Sequence, residues 1–430
     1  MTIKEIKDVV SHVFRLTFLN YIMENTSTKA VYPKGLIRYA VLSFYLAQGL
    51  CFSSWASRIP DIKDLFAVDY AFYWGLILFL IPVGKFTAIP LAGYLVTNLG
   101  SRIMVQISIL GYALSLFAIG SVSNVYLLGL FLFCFGVCWN LCDISLNTQG
   151  IGIEKLYGRT IMASFHGGWS LAACLGALIG FIMIVWEVAP FWHFTIVTAI
   201  ITCIVLISRK YLQDDVEAEV KDTKEPVADK MSFIRKPEKL LIQLGIVGLF
   251  ALIVESAMFD WSGLYFESVL KVPKSLQIGF LVFMVMMTVG RFLTNYAYSV
   301  LGKQRVLQVA GALIFAGFMV SALFGGLFES MIVTVVVNSL GFMLVGLGIS
   351  CMVPTIYSLV GAKSKTPVSI ALTILSSISF IGSLVAPLLI GAISQAFNMK
   401  YAYMVVGLLG LCILLMTSFS KAFKVEESTK

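Results

Sequence analysis

Long apolar stretches separated by short polar segments repeat along most of this 430-residue chain. Each stretch is close to or above the roughly 20 residues that an α-helix needs to cross the hydrocarbon core of a bilayer. The pattern therefore predicts an all-α membrane protein with twelve transmembrane helices. We place them at residues 36–56, 72–96, 101–119, 125–149, 162–186, 190–207, 240–268, 275–298, 305–325, 331–357, 368–395 and 401–419.

The polar positions divide the apolar pattern into two blocks. Residues 208–239 are rich in both acidic and basic side chains and contain Pro226 and Pro237, which indicates a solvated linker. The predicted organisation is an N-terminal cytoplasmic or interfacial segment, a first six-helix bundle, the linker, a second six-helix bundle and a cytoplasmic tail. Their ranges are 1–34, 35–207, 208–239, 240–420 and 421–430. Residues 1–34 fit either an interfacial amphipathic helix or a disordered segment.

Composition supports the membrane assignment, because 59% of the residues are hydrophobic and 13% are charged. Soluble domains carry about 25% charged residues. The net charge of +8 would suit a nucleic-acid partner, but most of the 31 Lys and Arg residues fall in alternate inter-helix segments and in the linker. That asymmetry follows the positive-inside rule. It predicts a bacterial cytoplasmic membrane protein with both termini in the cytoplasm and no nucleic-acid partner.

The two bundles resemble each other in sequence. Ser-Ser-Trp-Ala-Ser at 53–57 aligns with Phe-Asp-Trp-Ser-Gly at 259–263, and Val-Gly-Lys-Phe at 83–86 aligns with Val-Gly-Arg-Phe at 289–292. Further matches follow in the same order, including Gly136 with Gly346. Two parallel repeats of six helices are the plan of the major facilitator superfamily, with substrate sites near the bilayer midplane between the repeats.

The loop after the second predicted helix resembles the signature of that superfamily, Gly-x-Leu-x-Asp-Arg-x-Gly-x-Arg. Gly93, Leu95, Gly100 and Arg102 match it, whereas residues 97 and 98 are Thr and Asn instead of the acidic and basic members. The chain also resembles a bacterial branch that includes YbjJ and the rhizopine transporter MosC. The segments that carry this resemblance are 55–63, 143–147, 162–167 and 255–262.

The resemblance implies two pseudo-symmetric six-helix bundles that transport a solute by alternating access. An acid followed four residues later by Asn, here Asp143 and Asn147, is also distantly similar to the fucose permease group. In that group the acid takes part in proton-coupled sugar uptake. The second acid of that group, in the first helix, has no counterpart here, because residues 36–57 contain no carboxylate.

Ionisable residues inside the apolar segments are the candidates for coupling protons to transport. Asp143 and His166 lie at similar predicted depths, roughly 10 Å from the cytoplasmic surface, and could share a proton if their helices are adjacent. Glu255 lies midway along the seventh predicted helix. Intramembrane acids are functional by default, so we predict that Asp143, His166 and Glu255 couple protons. The alternative is a structural hydrogen-bonding role within the helix bundle.

Five further charged residues are predicted to act as gates or charge partners. Lys85 and Arg291 occupy equivalent positions in the two repeats and could neutralise an acid or an anionic substrate group. Alternatively, they could extend toward the cytoplasmic surface, an interpretation that suits Arg291 better than the deeper Lys85. Asp260, near the outer mouth, is predicted to pair with Arg58, and Arg102 belongs to the signature-like loop.

Polar and aromatic residues on the cavity-lining helices of the superfamily are predicted to bind the substrate. Small-molecule sites usually combine apolar walls with a few hydrogen-bonding groups. The predicted substrate-binding residues are Gln48, Trp55, Trp139, Asn140, Asn147, Gln149, Trp261, Asn338 and Tyr357. The stripe of Cys134, Cys138 and Cys142 is expected to pack against small residues rather than hold a metal, because it contains no histidine.

These features predict a secondary active transporter that moves a small polar solute, sugar- or polyol-like, together with protons. We expect a monomer in the lipid bilayer without metal or cofactor. A drug or metabolite exporter of the same superfamily is the main alternative. The sequence lacks Gly-x-Ser-x-Gly, His-Glu-x-x-His and P-loop motifs, which argues against an enzyme. A sensor that uses the linker is a further alternative.

Overall fold

The computed structural model describes residues 32–159, 161–214 and 237–420. The predictions for residues 1–31, for most of the linker and for the C-terminal tail lie outside these ranges. All regular structure in the described part of the chain is helical. The first half comprises α1 (Lys34–Ser57), α2 (Ile59–Leu65), α3 (Ala71–Leu99), α4 (Ser101–Ser121), α5 (Val125–Tyr157), α6 (Met162–Val185) and α7 (Pro190–Ser208).

The second half repeats this order of long helices after the linker. It comprises α8 (Lys239–Ser268), α9 (Gly279–Phe324), α10 (Met331–Ser350), α11 (Met352–Lys363), α12 (Val368–Ala396) and α13 (Met399–Phe419). Within the described ranges, 11 helical spans are long and apolar enough to cross a membrane, with α10 and α11 together forming one of them. Helix α9 is 46 residues long and contains the non-helical Gly302, so it crosses twice. The prediction of twelve transmembrane helices is confirmed.

Two glycines at equivalent places in the repeats explain where the second and third helices of each half separate. Gly100 has φ 80° between α3 and α4, and Gly302 has φ 76° within α9. A residue with a side chain is strained at such positive φ values, whereas glycine is not. The chain therefore makes the same sharp turn in both halves, which supports the repeat seen in the sequence.

Close helix packing within each half depends on small residues. Gly136 of α5 lies directly against the backbone carbonyl of Ile81 in α3. Its repeat partner Gly346 of α10 lies against the carbonyl of Phe283 in α9 in the same way. In lipid, helices gain little from the hydrophobic effect and associate mainly through such close van der Waals contact. The two equivalent glycines therefore set equivalent helix spacings.

The two halves meet where α3 contacts α12 and where α6 contacts α9. We call the side on which α7 ends at Ser208 and α8 begins at Lys239 the linker face, and the other side the opposite face. Near the opposite face, Gly75 of α3 and Gly391 of α12 allow the two helix backbones to touch. Pro60 of α2 packs against Gly263 of α8 in the same region. The halves are therefore in close contact at the opposite face.

Candidate functional site

A central cavity of about 330 Å³ lies between the two halves. Its walls come from α1, α3, α5 and α6 in the first half and from α8, α9, α11 and α12 in the second. This volume is at the lower end of the range for small-molecule sites. The cavity extends toward the linker face as far as Tyr357 and Ser376, which are hydrogen-bonded to each other at 2.9 Å.

The structure brings most of the predicted charged residues to this one cavity. The lining includes residues from all three predicted classes. They are Gln48, Trp55, Lys85, Trp139, Asp143, His166, Glu255, Asp260, Arg291 and Tyr357. Asn140 instead lines a smaller neighbouring pocket of about 60 Å³, which shares Lys85, Trp139 and Asp143 with the main cavity.

Besides Asn140, four predicted substrate-binding residues do not line the main cavity. Asn147 lies behind Asp143, where its Oδ1 accepts a hydrogen bond from the Tyr45 hydroxyl at 2.9 Å. Gln149 lies close to the linker, and its Nε2 donates to Ser101 Oγ and to the Gln213 carbonyl, both at 2.8 Å. Both residues are on α5, but their faces of that helix meet α1 and α4 rather than the cavity.

The other two, Trp261 and Asn338, are buried in the second half. Trp261 is 1% exposed, and the Asn338 amide donates to the Thr334 carbonyl one turn earlier in its own helix at 2.7 Å. Helix α8 lines the cavity with Glu255 and Asp260 rather than with Trp261, and the cavity lining includes no residue of α10. In this structure the cavity is therefore not lined by Asn147, Gln149, Trp261 or Asn338, which we expected to contact the solute.

Asp143 lies in a polar corner formed by α1, α5 and α6. Asn147 Nδ2 is 3.5 Å from Asp143 Oδ2. Tyr45, which donates to Asn147, lies edge-on to the His166 ring with 5.5 Å between centroids. Asp143 and His166 both line the cavity. They form no ion pair within 4.0 Å among the described residues. The two side chains therefore share the cavity without direct contact at ion-pair distance.

Arg291 connects the two halves inside the cavity. Its guanidinium is 3.6 Å from Glu255 Oε1 in the same half. It also donates to Ser170 Oγ of α6 in the other half and lies over the Trp169 ring, 5.5 Å from the centroid. The alternative in which Arg291 extends toward the cytoplasmic surface is wrong, because the carboxylate of Glu255 holds the side chain in the cavity.

Lys85 has a different environment from its repeat partner. Its Nζ lies 3.1 Å from the centroid of the Trp139 ring, a cation–π contact. The carbonyl of Lys85 accepts a hydrogen bond from Asn140 Nδ2 at 2.8 Å, which ties α3 to α5 at this level. None of the four ion pairs between described residues includes Lys85. The ammonium group of Lys85 therefore faces the cavity and packs against the ring of Trp139.

An aromatic cluster closes the cavity toward the opposite face. Phe52 of α1 lies 4.9 Å from Trp139, 5.6 Å from Trp169 and 4.6 Å from Phe259, measured between ring centroids. The contact with Phe259 crosses between the halves. Sequence reasoning missed Phe52, although it lies on the same face of α1 as Gln48, one turn away. It also missed Trp169 and Phe259, because their place in the cavity depends on which helices pack side by side.

A group that we call the Asp61 latch, formed by Arg58, Asp61 and Lys274, joins the halves at the opposite face. Arg58 Nε is 2.9 Å from Asp61 Oδ2, and Lys274 Nζ of the second half is 2.9 Å from Asp61 Oδ1. Arg58 also donates to the Val188 carbonyl. The predicted pair of Arg58 with Asp260 is therefore wrong. The turn into α2 places Asp61 beside Arg58, three residues earlier.

Burial lowers the pKa of Arg58, and the negative charge of Asp61 acts in the opposite direction. The side chain of Arg58 is 3% exposed and that of Asp61 is 12% exposed, whereas that of Lys274 is 55% exposed. The part of the latch that belongs to the first half is therefore buried, and the part that reaches it from the second half is partly in solvent.

Arg102 of the signature-like loop pairs with the start of the linker. Its Nη1 is 2.7 Å from Asp214 Oδ1. Thr97 and Asn98, which replace the acidic and basic members of the signature, donate to carbonyls of their own helix at Gly93 and Tyr94. The loop therefore holds the linker through Arg102, in a contact that lies away from the cavity.

Comparison with known proteins agrees with this architecture. The sequence profile of the Major Facilitator Superfamily matches residues 41–370. The chain is 28% identical over 369 residues to the uncharacterized transporter y4wD of Sinorhizobium fredii, covering 86% of this chain and 94% of that protein. It is 26% identical over 384 residues to the membrane protein MosC of Rhizobium meliloti, covering 88% and 89%.

Solved structures show the same fold at low sequence identity. The nucleoside transporter NupG superposes with a TM-score of 0.71 at 12% identity, covering 89% of this chain and 100% of that one. The human organic anion transporter MFSD10 (TETRAN) gives a TM-score of 0.60 at 16% identity, covering 90% and 100%. This chain therefore belongs to the Major Facilitator Superfamily and is a membrane transporter rather than an enzyme.

Proposed function

We propose that this protein moves a small polar solute, sugar- or polyol-like, together with protons across the bacterial cytoplasmic membrane by alternating access. It works as a monomer with both termini in the cytoplasm. The observation that carries the proposal is the composition of the central cavity, where three carboxylates face two cations and one histidine. They are Asp143, Glu255, Asp260, Lys85, Arg291 and His166.

The charges in this cavity support coupling to one proton. Glu255 and Arg291 neutralise each other as an ion pair. Lys85 balances the charge of one of the two remaining carboxylates, Asp143 and Asp260. One negative charge is therefore left unbalanced in the cavity when His166 is neutral. Enclosing an unbalanced charge away from water is costly. One bound proton makes the cavity electrically neutral, so the protonated protein closes around the solute more readily than the deprotonated one.

Asp143 is the proposed site of that proton. It lines the same cavity as His166 and contacts Asn147, which accepts a hydrogen bond from Tyr45. Asn147 can donate to the carboxylate, and His166 can accept or return a proton according to its own charge state. Glu255 is engaged by Arg291 and contributes to coupling by holding that arginine across the interface between the halves.

The cavity surface suits a hydroxylated ring of modest size. Phe52, Trp139 and Trp169 offer aromatic faces to its C–H groups. Gln48 offers a buried amide in the wall of the cavity. NupG, which has the same fold, is a nucleoside transporter. Nucleosides carry a hydroxylated ring, so they belong in the panel of solutes to be tested along with sugars and polyols.

The proposed cycle starts from the arrangement seen here, with the cavity reaching the linker face and the Asp61 latch closed. Rocking of the halves about the cavity would separate Lys274 from Asp61 and open the opposite face. Solute and proton would load there and be released at the linker face. Uptake is the proposed direction because the linker face is the proposed cytoplasmic side.

Purified protein in proteoliposomes tests the proposal. A pH gradient is imposed, and accumulation of labelled glucose, myo-inositol, uridine and N-acetylglucosamine is measured with the unaltered protein and with Asp143→Asn. We expect gradient-driven accumulation of at least one solute by the unaltered protein. Asp143→Asn should lose the response to the gradient while keeping solute exchange at equal pH. Gradient-driven accumulation that persists in Asp143→Asn would remove this residue from coupling.

The aromatic cluster around Phe52 favours one rival, a drug or metabolite exporter. Such a protein would accept larger apolar compounds on the same aromatic walls. The many charged groups in the cavity argue against an exporter of apolar compounds, because an apolar solute would leave these groups without hydrogen-bond partners. Growth inhibition by a panel of toxic compounds, with and without the protein, separates the two: protection against apolar compounds supports the exporter.

A further inference from the structure

Two opposite charges face the central cavity from different halves, and neither forms an ion pair with another described residue. Lys85 belongs to α3 of the first half and Asp260 to α8 of the second. The four ion pairs that connect described residues include neither of them. The other cation of the cavity, Arg291, is already paired with Glu255. Lys85 is therefore a cavity cation that is free to bind a solute, and Asp260 is a carboxylate that is free to do so from the other half.

The surroundings explain why these two groups do not simply meet. The Lys85 ammonium lies on the ring of Trp139, 3.1 Å from its centroid, and Asn140 fixes the backbone carbonyl of Lys85. Asp260 follows Phe259, whose ring packs on Phe52 at 4.6 Å. The two groups line the cavity from different halves and are too far apart for an ion pair within 4.0 Å.

An ammonium and a carboxylate held apart in a partly enclosed space are both poorly satisfied. A buried polar group without a hydrogen bond carries a desolvation penalty, and the penalty is larger for charged groups. A solute that offers an oxygen acceptor to the ammonium and a hydroxyl donor to the carboxylate removes both penalties at once. Such a solute also joins the two halves, which an ion pair within one half cannot do.

We propose that Lys85 and Asp260 are the two poles of the solute site, and that together they select a neutral solute with hydroxyl groups at both ends of a ring. This inference rests on the proposed function and gives these two residues a substrate-binding role in place of the gating role expected from sequence. A cationic solute would lack a partner for Lys85, and an anionic one would lack a partner for Asp260. An alcohol with a single hydroxyl reaches one pole only.

Binding measurements on the purified full-length protein test the two poles. The probes are D-glucose, myo-inositol and uridine, with cyclohexanol as the comparison that has a ring and one hydroxyl. The readouts are the ligand-induced rise in apparent Tm and the Kd from calorimetry. We expect binding of at least one of the three probes and no binding of cyclohexanol. Lys85→Met and Asp260→Asn should each weaken that binding about tenfold or more, since each removes a hydrogen bond to a charged group.

The double variant Lys85→Met with Asp260→Asn distinguishes solute poles from a direct ion pair. If the two residues served mainly to neutralise each other, removing both would restore affinity. Separate contacts to the solute instead give a double variant at least as weak as the weaker single one. Recovery of the double variant to within twofold of the unaltered protein would overturn the proposal. Unchanged Kd values in both single variants would also overturn it.

Matched controls lie outside the cavity. Lys210 is likewise a lysine over an aromatic ring, 4.8 Å from the centroid of Tyr211, and Asp214 is an exposed aspartate near the linker. Lys210→Met and Asp214→Asn should leave the Kd unchanged. They control for the loss of one charge and for general effects on folding.

Failure of this inference is distinguishable from failure of the proposed function. If the folded, unaltered protein binds none of the three hydroxylated probes, the solute class is wrong whatever drives transport. If it binds one of them through both poles but does not accumulate it in response to a pH gradient, the poles stand and the proton coupling is wrong.

Discussion

Lys274→Met removes the ion pair that joins the two halves at the Asp61 latch and leaves the Arg58–Asp61 pair in place. Lys274 is 55% exposed. Solvent and salt therefore screen its interaction with Asp61, and the loss is in the range of a surface pair, about 0.2–1 kcal/mol. That free energy corresponds to a factor of about 1.5 to 5 in an equilibrium constant. The equilibrium should shift by this factor toward the state that is open at the opposite face.

Asp61→Asn provides the contrast, because it removes both ion pairs of the latch. It also leaves the buried Arg58 guanidinium without its carboxylate, which is destabilising by about 3–5 kcal/mol for a buried pair. Arg58 and Asp61 belong to the same half and move together, so this larger loss is shared by both conformations. We expect Asp61→Asn to lower the apparent Tm clearly and to change the conformational equilibrium about as much as Lys274→Met.

The conformational equilibrium can be measured with a cysteine introduced at Ser256, which lines the cavity. A membrane-impermeant thiol reagent is added at the opposite face, and the alkylation rate is corrected for the parent protein with its native cysteines. The rate should rise by the factor given above in both latch variants. An unchanged rate in Lys274→Met, or a large rise in Asp61→Asn alone, would refute the assignment of the cross-half ion pair as the latch.

Three further outcomes follow from the fold and the site. Glu255→Gln should lower the apparent stability by about 3 kcal/mol, because it leaves Arg291 partly buried and unpaired; a denaturation midpoint unchanged in Glu255→Gln would contradict the ion pair. Gly136→Val should prevent folded expression because its side chain would meet the Ile81 carbonyl; a normal gel-filtration profile would argue against that contact. Burial raises the pKa of Glu238, but hydrogen bonds from residues 364–366 lower it more, so its pKa in the folded protein is below the usual value for a glutamate. Its stabilising contribution is therefore present above that value and is lost as the pH falls through the folded pKa, so the Tm difference between the unaltered protein and Glu238→Gln should vanish in acid and appear at neutral pH.

The transmembrane helices could be predicted from the sequence because the signal is local. Each span needs a run of apolar residues about as long as the bilayer is thick, and any charge inside such a run stands out. Asp143, Glu255, Lys85 and Arg291 could therefore be named as candidates without knowing their neighbours. The break between the predicted helices at 275–298 and 305–325 was visible in the same way, and Gly302 lies within it.

The partners of those charges could not be predicted, since they depend on the rotation of each helix and on which helices touch. The sequence paired Arg58 with Asp260, whereas the turn into α2 brings Asp61 to Arg58 at 2.9 Å. It allowed Arg291 to extend toward the cytoplasmic surface, whereas the approach of α9 to α8 and α6 holds it on Glu255.

The sequence by itself therefore determined that this protein is a helical, two-fold repeated membrane transporter with ionisable groups inside the bilayer. Hydrophobic length and charge are properties of each segment, and the repeat is a similarity between segments. All three can therefore be recognised in the sequence without knowing how the helices pack. Only the tertiary structure decided which ionisable groups share one cavity and which pair elsewhere. A rotation of a helix by one residue turns a side chain by about 100°, so the face that meets the cavity is settled by packing between helices.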